Sequence, residues 1–198
     1  MKSPVHTIFF DVDGTLLNHW KRMYAVYKIC CQQYGYTPLP FEKFRRNKRN
    51  GLPDATTKHR VWKQRRIEAA SLLAKDTVVP GMKRVLRHVY KTHRVVAVSA
   101  RQSKEKLVNQ LEHLGILAYF DEIIAVGLDD PVCAKAQAMG EGIAIGDTEI
   151  EIAAAARAGI RCIAVGWGIR NPAFLRRAGL TRVVQTPEAL ERALEADT

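Results

Sequence analysis

Apolar and polar residues are arranged in blocks whose period changes along the chain. The run Val5-His6-Thr7-Ile8-Phe9-Phe10-Asp11-Val12 is short, apolar and rich in β-branched and aromatic residues, the pattern of a buried strand over 5–12. From residue 18 to residue 78 the period lengthens. Trp20, Met23, Val26, Tyr27 and Cys30 recur at helical spacing, and Gly35-Tyr36-Thr37-Pro38 and Gly51-Leu52-Pro53 divide the region into helical pieces with no strand expected.

After Pro80 short apolar runs alternate with helical stretches. A helix is expected from Pro80-Gly81 to about His93, and a strand over Val95-Val96-Ala97-Val98 that ends at Ser99. A helix from about Ser103 to Leu114 stops at Gly115, and Phe120 to Val126 contains a strand. Ile143-Ala144-Ile145 is a strand that ends at Gly146-Asp147, and Ile150 to Ala158 is an alanine-rich helix stopped by Gly159. A strand over Cys162–Val165 and helices over Pro172–Ala178 and Pro187–Leu194 close the chain. This alternation predicts an α/β fold: a Rossmann-like parallel sheet with helices on both faces. Residues 1–17 and 79–198 form the expected core, and 18–78 a small helical insertion.

Charge sharpens that division. The formal net charge is +11, and residues 18–78 hold fourteen Lys and Arg against four acids, a net of +10. The excess sits in the insertion, which attracts anions over several ångströms of solvent. No run approaches the ~18–20 apolar residues a membrane span needs, and no apolar leader precedes Asp11, so a cytoplasmic protein is expected. Cys30, Cys31, Cys133 and Cys162 lack CxxC spacing, which argues against a zinc site or a disulfide framework; the six histidines show no metal-ligand spacing.

The candidate chemistry lies at strand ends, where open parallel sheets bind ligands. Asp11 and Asp13 end the first strand and are followed at once by Gly14 and Thr15; Ser99 ends the second, and Asp147 with nearby Glu151 ends another. Such a set can hold a cation and a phosphate, with one carboxylate attacking an electrophile and another moving a proton. Gly14 lets the backbone approach a phosphate closely. Lys135 supplies an ammonium for developing negative charge, with Lys104 a poorer-placed alternative.

These segments resemble the four motifs of the haloacid dehalogenase superfamily. Asp11-Val12-Asp13-Gly14-Thr15 is similar to the first, Val96-Ala97-Val98-Ser99-Ala100-Arg101 to the second, Lys135 to the third, and Ile145-Gly146-Asp147-Thr148 with Glu151 to the fourth. Gly166-Trp167-Gly168 and the Pro-helix-Gly pattern after it resemble the C-terminal part of phosphoglycolate-phosphatase-like members. The resemblance implies a Mg²⁺-dependent phosphatase acting on a small phosphorylated substrate, with the insertion as a cap. Asp11 would be the nucleophile of an aspartyl-phosphate route, and Asp13 would protonate the leaving oxygen and then activate water. Ser99 and the Ala100 N–H would hold phosphate oxygens, and Lys135 would neutralise charge. Asp11, the Asp13 carbonyl and Asp147 would hold the metal. Glu151 stands where the family has a second aspartate; it either reaches the metal or braces Lys135. Arg101 either reaches the substrate, along with Gly14 and Thr15, or lies on a helix surface.

Three rivals remain at this level. A haloacid dehalogenase needs no acid at position 13 and is disfavoured. A phosphomutase shares the aspartyl-phosphate. A non-catalytic protein of the same fold would use the basic insertion on nucleic acid or an acidic partner, with Phe44 and Trp62 free to stack bases. A cap that draws anionic substrates inward is the favoured reading of those charges.

Overall fold

The computed structural model describes residues 6–179 and 182–196. Six parallel strands form one sheet: β1 (Thr7–Phe10), β4 (Arg94–Ala100), β5 (Glu122–Val126), β6 (Gly142–Gly146), β7 (Arg161–Val165) and β8 (Val183–Val184). Their order is β5-β4-β1-β6-β7-β8, the Rossmann-like arrangement expected. The first strand occupies the centre, where all four of its residues are buried. It pairs with β4 through Phe10↔Ala97 and with β6 through Phe10↔Ile145. The Asp11 N–H continues that ladder to the Ile145 carbonyl at 2.8 Å, so the carboxyl ends of β1 and β6 lie side by side.

Alternating residues of these strands face opposite layers. Ile8, Phe10, Val95, Ala97, Ile143 and Ile145 pack against α5 (Met82–Val89), α6 (Lys104–His113) and α10 (Pro187–Glu195). Phe9, Val96, Val98 and Ala144 face α7 (Pro131–Ala138) and α8 (Glu149–Ala158). Each large apolar side chain so buried contributes about 1.5–3 kcal/mol. Caps set where these helices begin. The Ser103 hydroxyl accepts from the Lys106 N–H, and the Asp130 carboxylate, with Pro131 next, opens α7. A reciprocal Thr148–Glu151 capping box starts α8, which Gly159 ends at φ 71°. Asn171 caps the short α9 (Pro172–Arg177).

The insertion springs from a two-stranded antiparallel ribbon, β2 (Leu17–Asn18) with β3 (Thr77–Val78). Between its strands run α1 (Trp20–Gln33), α2 (Phe41–Arg49), α3 (Arg60–Arg66) and α4 (Ala70–Leu73). Trp20, Tyr27, Cys31 and Phe44 bury one another there, with Tyr24 and Phe41 packed against them. The expectation that Phe44 could stack a base is therefore corrected: it is 2% exposed and stacks on Tyr27. Trp62 already packs on Tyr34 and under the Arg66 guanidinium.

Four features differ from the sequence expectations. The ribbon falls at the edges of a region expected to be strand-free, because two-residue strands are too short to show a period. The helix α7 was not anticipated; four of its eight residues are Ala or Cys, giving almost no amphipathic signal. The two residues of β8 were likewise missed. The helix begun at Pro80-Gly81 ends at Val89, not near His93. Among the described residues, no helix is long and apolar enough to cross a membrane.

Candidate active site

Asp11, Asp147, Lys135 and Glu151 converge where β1 and β6 end, and all four are buried. The helix α7 carries Lys135 beneath the sheet edge, where its ammonium lies 2.5 Å from Asp11 Oδ1 and 2.5 Å from Glu151 Oε1. Burial opposes the charge on Lys135, but Asp11 and Glu151 overcome it and raise its pKa. Glu151 is held by more than the lysine. Its Oε2 accepts from the Thr148 N–H at 3.1 Å and the Thr148 hydroxyl at 2.6 Å. Both of its oxygens are thus engaged in bracing Lys135 and capping α8.

Thr15 donates toward both acids, 3.4 Å from Asp11 Oδ2 and 3.3 Å from Asp147 Oδ1. The other Asp147 oxygen accepts from the Ile169 N–H at 2.5 Å. Burial pushes the Asp11 carboxyl up to about 7, against the pull of Lys135. Burial, then the charges of Asp11 and Glu151, push Asp147 well above the usual carboxylate range. Three buried carboxylates thus face one buried ammonium.

That surplus of negative charge fits a divalent cation. Among the described residues no three His, Cys, Asp or Glu side chains form a self-contained metal cage. Two carboxylates with a backbone carbonyl suit Mg²⁺, a hard cation that keeps several waters and takes few protein oxygens. Backbone crowds the site closely. A Cβ on Gly14 would come within 2.2 Å of Asp147 Oδ2, and one on Gly168 within 2.1 Å. Gly14 also has φ +95°. Gly14→Ala is therefore expected to destabilise the protein by about 1–3 kcal/mol, read as a lower urea midpoint. A cavity of about 190 Å³ lies against these two glycines, lined also by Trp20, Arg45, Pro80 and Trp167.

Asp13 has different surroundings. The Arg101 guanidinium grips it with two bonds, Nε to Oδ2 at 2.6 Å and Nη2 to Oδ1 at 2.8 Å. Arg22 of α1 also pairs with Asp13 Oδ1. Arg22 reaches Asp76 as well, at 3.0 Å. Gln110 donates to Asp76 at 2.9 Å and accepts from Arg101 at 2.9 Å, closing a ring of five side chains. Burial alone would raise the Asp13 carboxyl, but Arg101 and then Arg22 carry it well below the usual range. Burial also lowers neighbouring His19 to about 4, leaving a neutral imidazole at pH 7.

The surface alternative for Arg101 is thereby corrected: it is 3% exposed and bound to Asp13. Its Nη1 is buried without a partner. Ser99 is buried at the end of β4, with Ala100 beside it at the same sheet edge. Lys104, the alternative to Lys135, begins α6 at the surface.

Sequence reasoning missed Arg22, Asp76 and Gln110. One signal for Arg22 was present: Arg22, Val26 and Cys30 share a face at i, i+4, i+8, so the arginine stands on the buried stripe of α1.

Comparisons with known proteins bear on the fold and the family. A curated phosphoglycolate phosphatase of Synechococcus elongatus is 20% identical over 209 residues, covering 96% of this chain and 97% of that protein. A haloacid dehalogenase-like family hydrolase of Streptococcus pneumoniae superposes with a TM-score of 0.76 at 18% identity, over 98% of this chain and 99% of that one. A HAD family hydrolase of Deinococcus radiodurans, solved with bound phosphate and sodium, gives 0.64 at 18% identity, over 98% and 96%. At such identities the structures speak for the fold alone. The family description "Haloacid dehalogenase-like hydrolase" matches residues 8–130, from β1 to the cap of α7. That stretch is more than half of the sequence and includes both Asp11-x-Asp13 and Ser99, so the chain belongs to the haloacid dehalogenase-like hydrolases.

Proposed function

We propose that this hydrolase is a Mg²⁺-dependent phosphomonoester phosphatase that works through Asp11, with residues 18–78 as a cap over a core of 1–17 and 79–198. The observation that carries the reading is the buried cluster of Asp11, Asp147 and Glu151 around a single lysine. A carboxylate attacking a phosphate dianion meets strong repulsion, which Lys135 and a cation drawn in by the surplus carboxylates would offset. Asp11, Asp147 and the Asp13 carbonyl would hold the ion, which when bound supplies electrostatic stabilisation of the transferring phosphoryl group. Glu151 is assigned to bracing Lys135, not to the metal.

In the first step an Asp11 oxygen bonds to phosphorus while the ester P–O bond breaks. In the second, water attacks the aspartyl-phosphate and the Asp11–phosphorus bond breaks. Lys135 offsets charge on the attacking carboxylate, and Ser99 with the Ala100 N–H binds phosphate oxygens at the end of β4. Asp13 would take the proton of that water, but the two guanidiniums that hold it as an anion make it a weak base, so it can act only once that grip is loosened. To protonate the leaving oxygen in the first step it must first be released by a guanidinium and gain a proton. Arg22 stands on the cap, so cap movement is the natural way to release it.

The curated relative makes 2-phosphoglycolate the first compound to try. The test is phosphate release from a panel of phosphorylated metabolites with Mg²⁺, using Asp11→Asn as control. No release from any compound, or equal release by the variant, would reject the reading.

A pH prediction follows from Asp11. Its pKa is raised on folding, so its contribution to stability is complete below the unfolded value near 4 and is lost as pH rises through about 7. The metal-free protein is expected to melt at lower temperature at pH 8 than at pH 5, and MgCl₂ to restore more of that loss at pH 8. Thermal scans at both pH values, with and without Mg²⁺, check this.

A further inference from the structure

Two charged side chains of the cap grip core backbone, one on each side of the acids. Glu68, between α3 and α4, is 4% exposed. Its carboxylate accepts from the Gln102 N–H at 2.7 Å and the Ser103 N–H at 3.1 Å. Those amides open α6 and directly follow Ser99, Ala100 and Arg101. A carboxylate there also meets the positive end of a ten-residue helix.

Arg49, in the last turn of α2, makes the opposite kind of contact. Its guanidinium donates to the carbonyls of Gly166 at 2.7 Å, Gly168 at 2.7 Å and Trp167 at 3.3 Å. The same core loop gives the Ile169 N–H to Asp147, and its Arg170 N–H to the Asp147 carbonyl at 3.3 Å. It returns the cap's grip as well: Arg170 Nη1 donates to the Lys48 carbonyl at 2.6 Å, and the Asn171 N–H to the Arg49 carbonyl at 3.0 Å.

We infer that Glu68 and Arg49 are positioning residues: Glu68 sets the loop that binds the substrate's phosphate, and Arg49 sets the loop that orients Asp147 toward the metal. The inference rests on the assignments of Ser99–Ala100 to phosphate and of Asp147 to metal made above. Neither residue need touch substrate. Each acts through main chain one step from a ligating group, and outer partners of this kind typically change metal affinity by ~10–100-fold. The two grips serve different ligands, so their effects should separate.

The test uses the full chain and two substitutions. Glu68→Gln keeps one acceptor but turns an amide N–H₂ toward the second backbone N–H. Arg49→Lys keeps the charge but loses the fork that spans several carbonyls. Inorganic phosphate is titrated as a competitive inhibitor at saturating Mg²⁺, and Mn²⁺ binding is read by electron paramagnetic resonance without turnover. Glu68→Gln is expected to weaken phosphate roughly tenfold and leave Mn²⁺ within about twofold; Arg49→Lys is expected to do the reverse. Variants that fold and leave both constants unchanged, or that weaken both equally, overturn the inference.

Amide exchange of the wild-type protein adds a check that requires no variant. By linkage, phosphate should slow exchange at 66–70 together with 100–103, and Mn²⁺ at 46–51 together with 166–170. Absence of that pairing also overturns the inference. A wild-type chain that binds neither probe instead rejects the phosphatase reading, and the inference falls with it.

Discussion

Asp11→Asn is expected to abolish phosphate release, by at least about 10⁴-fold, without lowering the melting temperature. The first half follows from chemistry: an amide cannot form the acyl-phosphate bond, and no neighbour replaces it. Glu151 has both oxygens engaged, and Asp13 is fixed between Arg22 and Arg101. The second half follows from burial. A carboxyl whose pKa is driven up to about 7 is one whose charge the folded state resists. Asparagine has the same shape, removes the repulsion with Asp147, and leaves Lys135 paired with Glu151. Phosphate assays and a thermal scan of the variant decide both halves. A drop of several degrees would mean that Asp11 holds the core together instead of burdening it.

Lys135→Met is expected to fail in the opposite way, losing stability as well as turnover. The ammonium is 2% exposed and lies between two carboxylates. Methionine fills similar space, but it leaves Asp11, Asp147 and Glu151 buried with no neutralising charge. Breaking a buried ion pair from one side costs about 3–5 kcal/mol, and for a chain of this length each kcal/mol is worth about 2–4 °C. A melting temperature lower by roughly 10 °C at pH 7 is expected, with part of it recovered at pH 5, where the carboxylates protonate more readily. The lysine's own raised pKa points the same way: its stabilisation is complete below the unfolded value near 10.5 and is lost only as pH climbs through the higher folded value. A stable but inactive variant would show that the charge matters to chemistry alone.

The core was legible in the sequence because its elements carry local signals. The run Ile8-Phe9-Phe10 announces a strand, and Gly146-Asp147 a strand end. Gly159 stops a helix at positive φ. The carboxylates follow strand ends, and strand ends are where a parallel sheet puts its ligands. Lys135 was named from its neighbourhood in sequence, but the reason it reaches Asp11 is α7, a helix too poor in large apolar residues to show a period. What stayed hidden were contacts between distant segments whose partners are individually ordinary. Arg22 is one of fourteen basic residues in the insertion, and only its seat on an apolar stripe distinguishes it. Glu68 and Arg49 grip main chain, and backbone amides and carbonyls leave no mark in a residue pattern. The charge excess of the insertion was read as drawing anionic substrates inward; Arg22 and Arg49 instead direct theirs to Asp13 and to a core loop.

The central place of β1 has a consequence for how the protein is made. The strand that ends at Asp11 precedes both of its partners in the chain, residues 94–97 and 142–145. A nascent chain therefore completes its insertion while Phe9 and Phe10 still lack both neighbouring strands. Such long-range pairing is slow, and an unpaired apolar strand invites association with other chains. A chain cut short before β6 would have no assembled carboxylate cluster and an open strand edge at its heart.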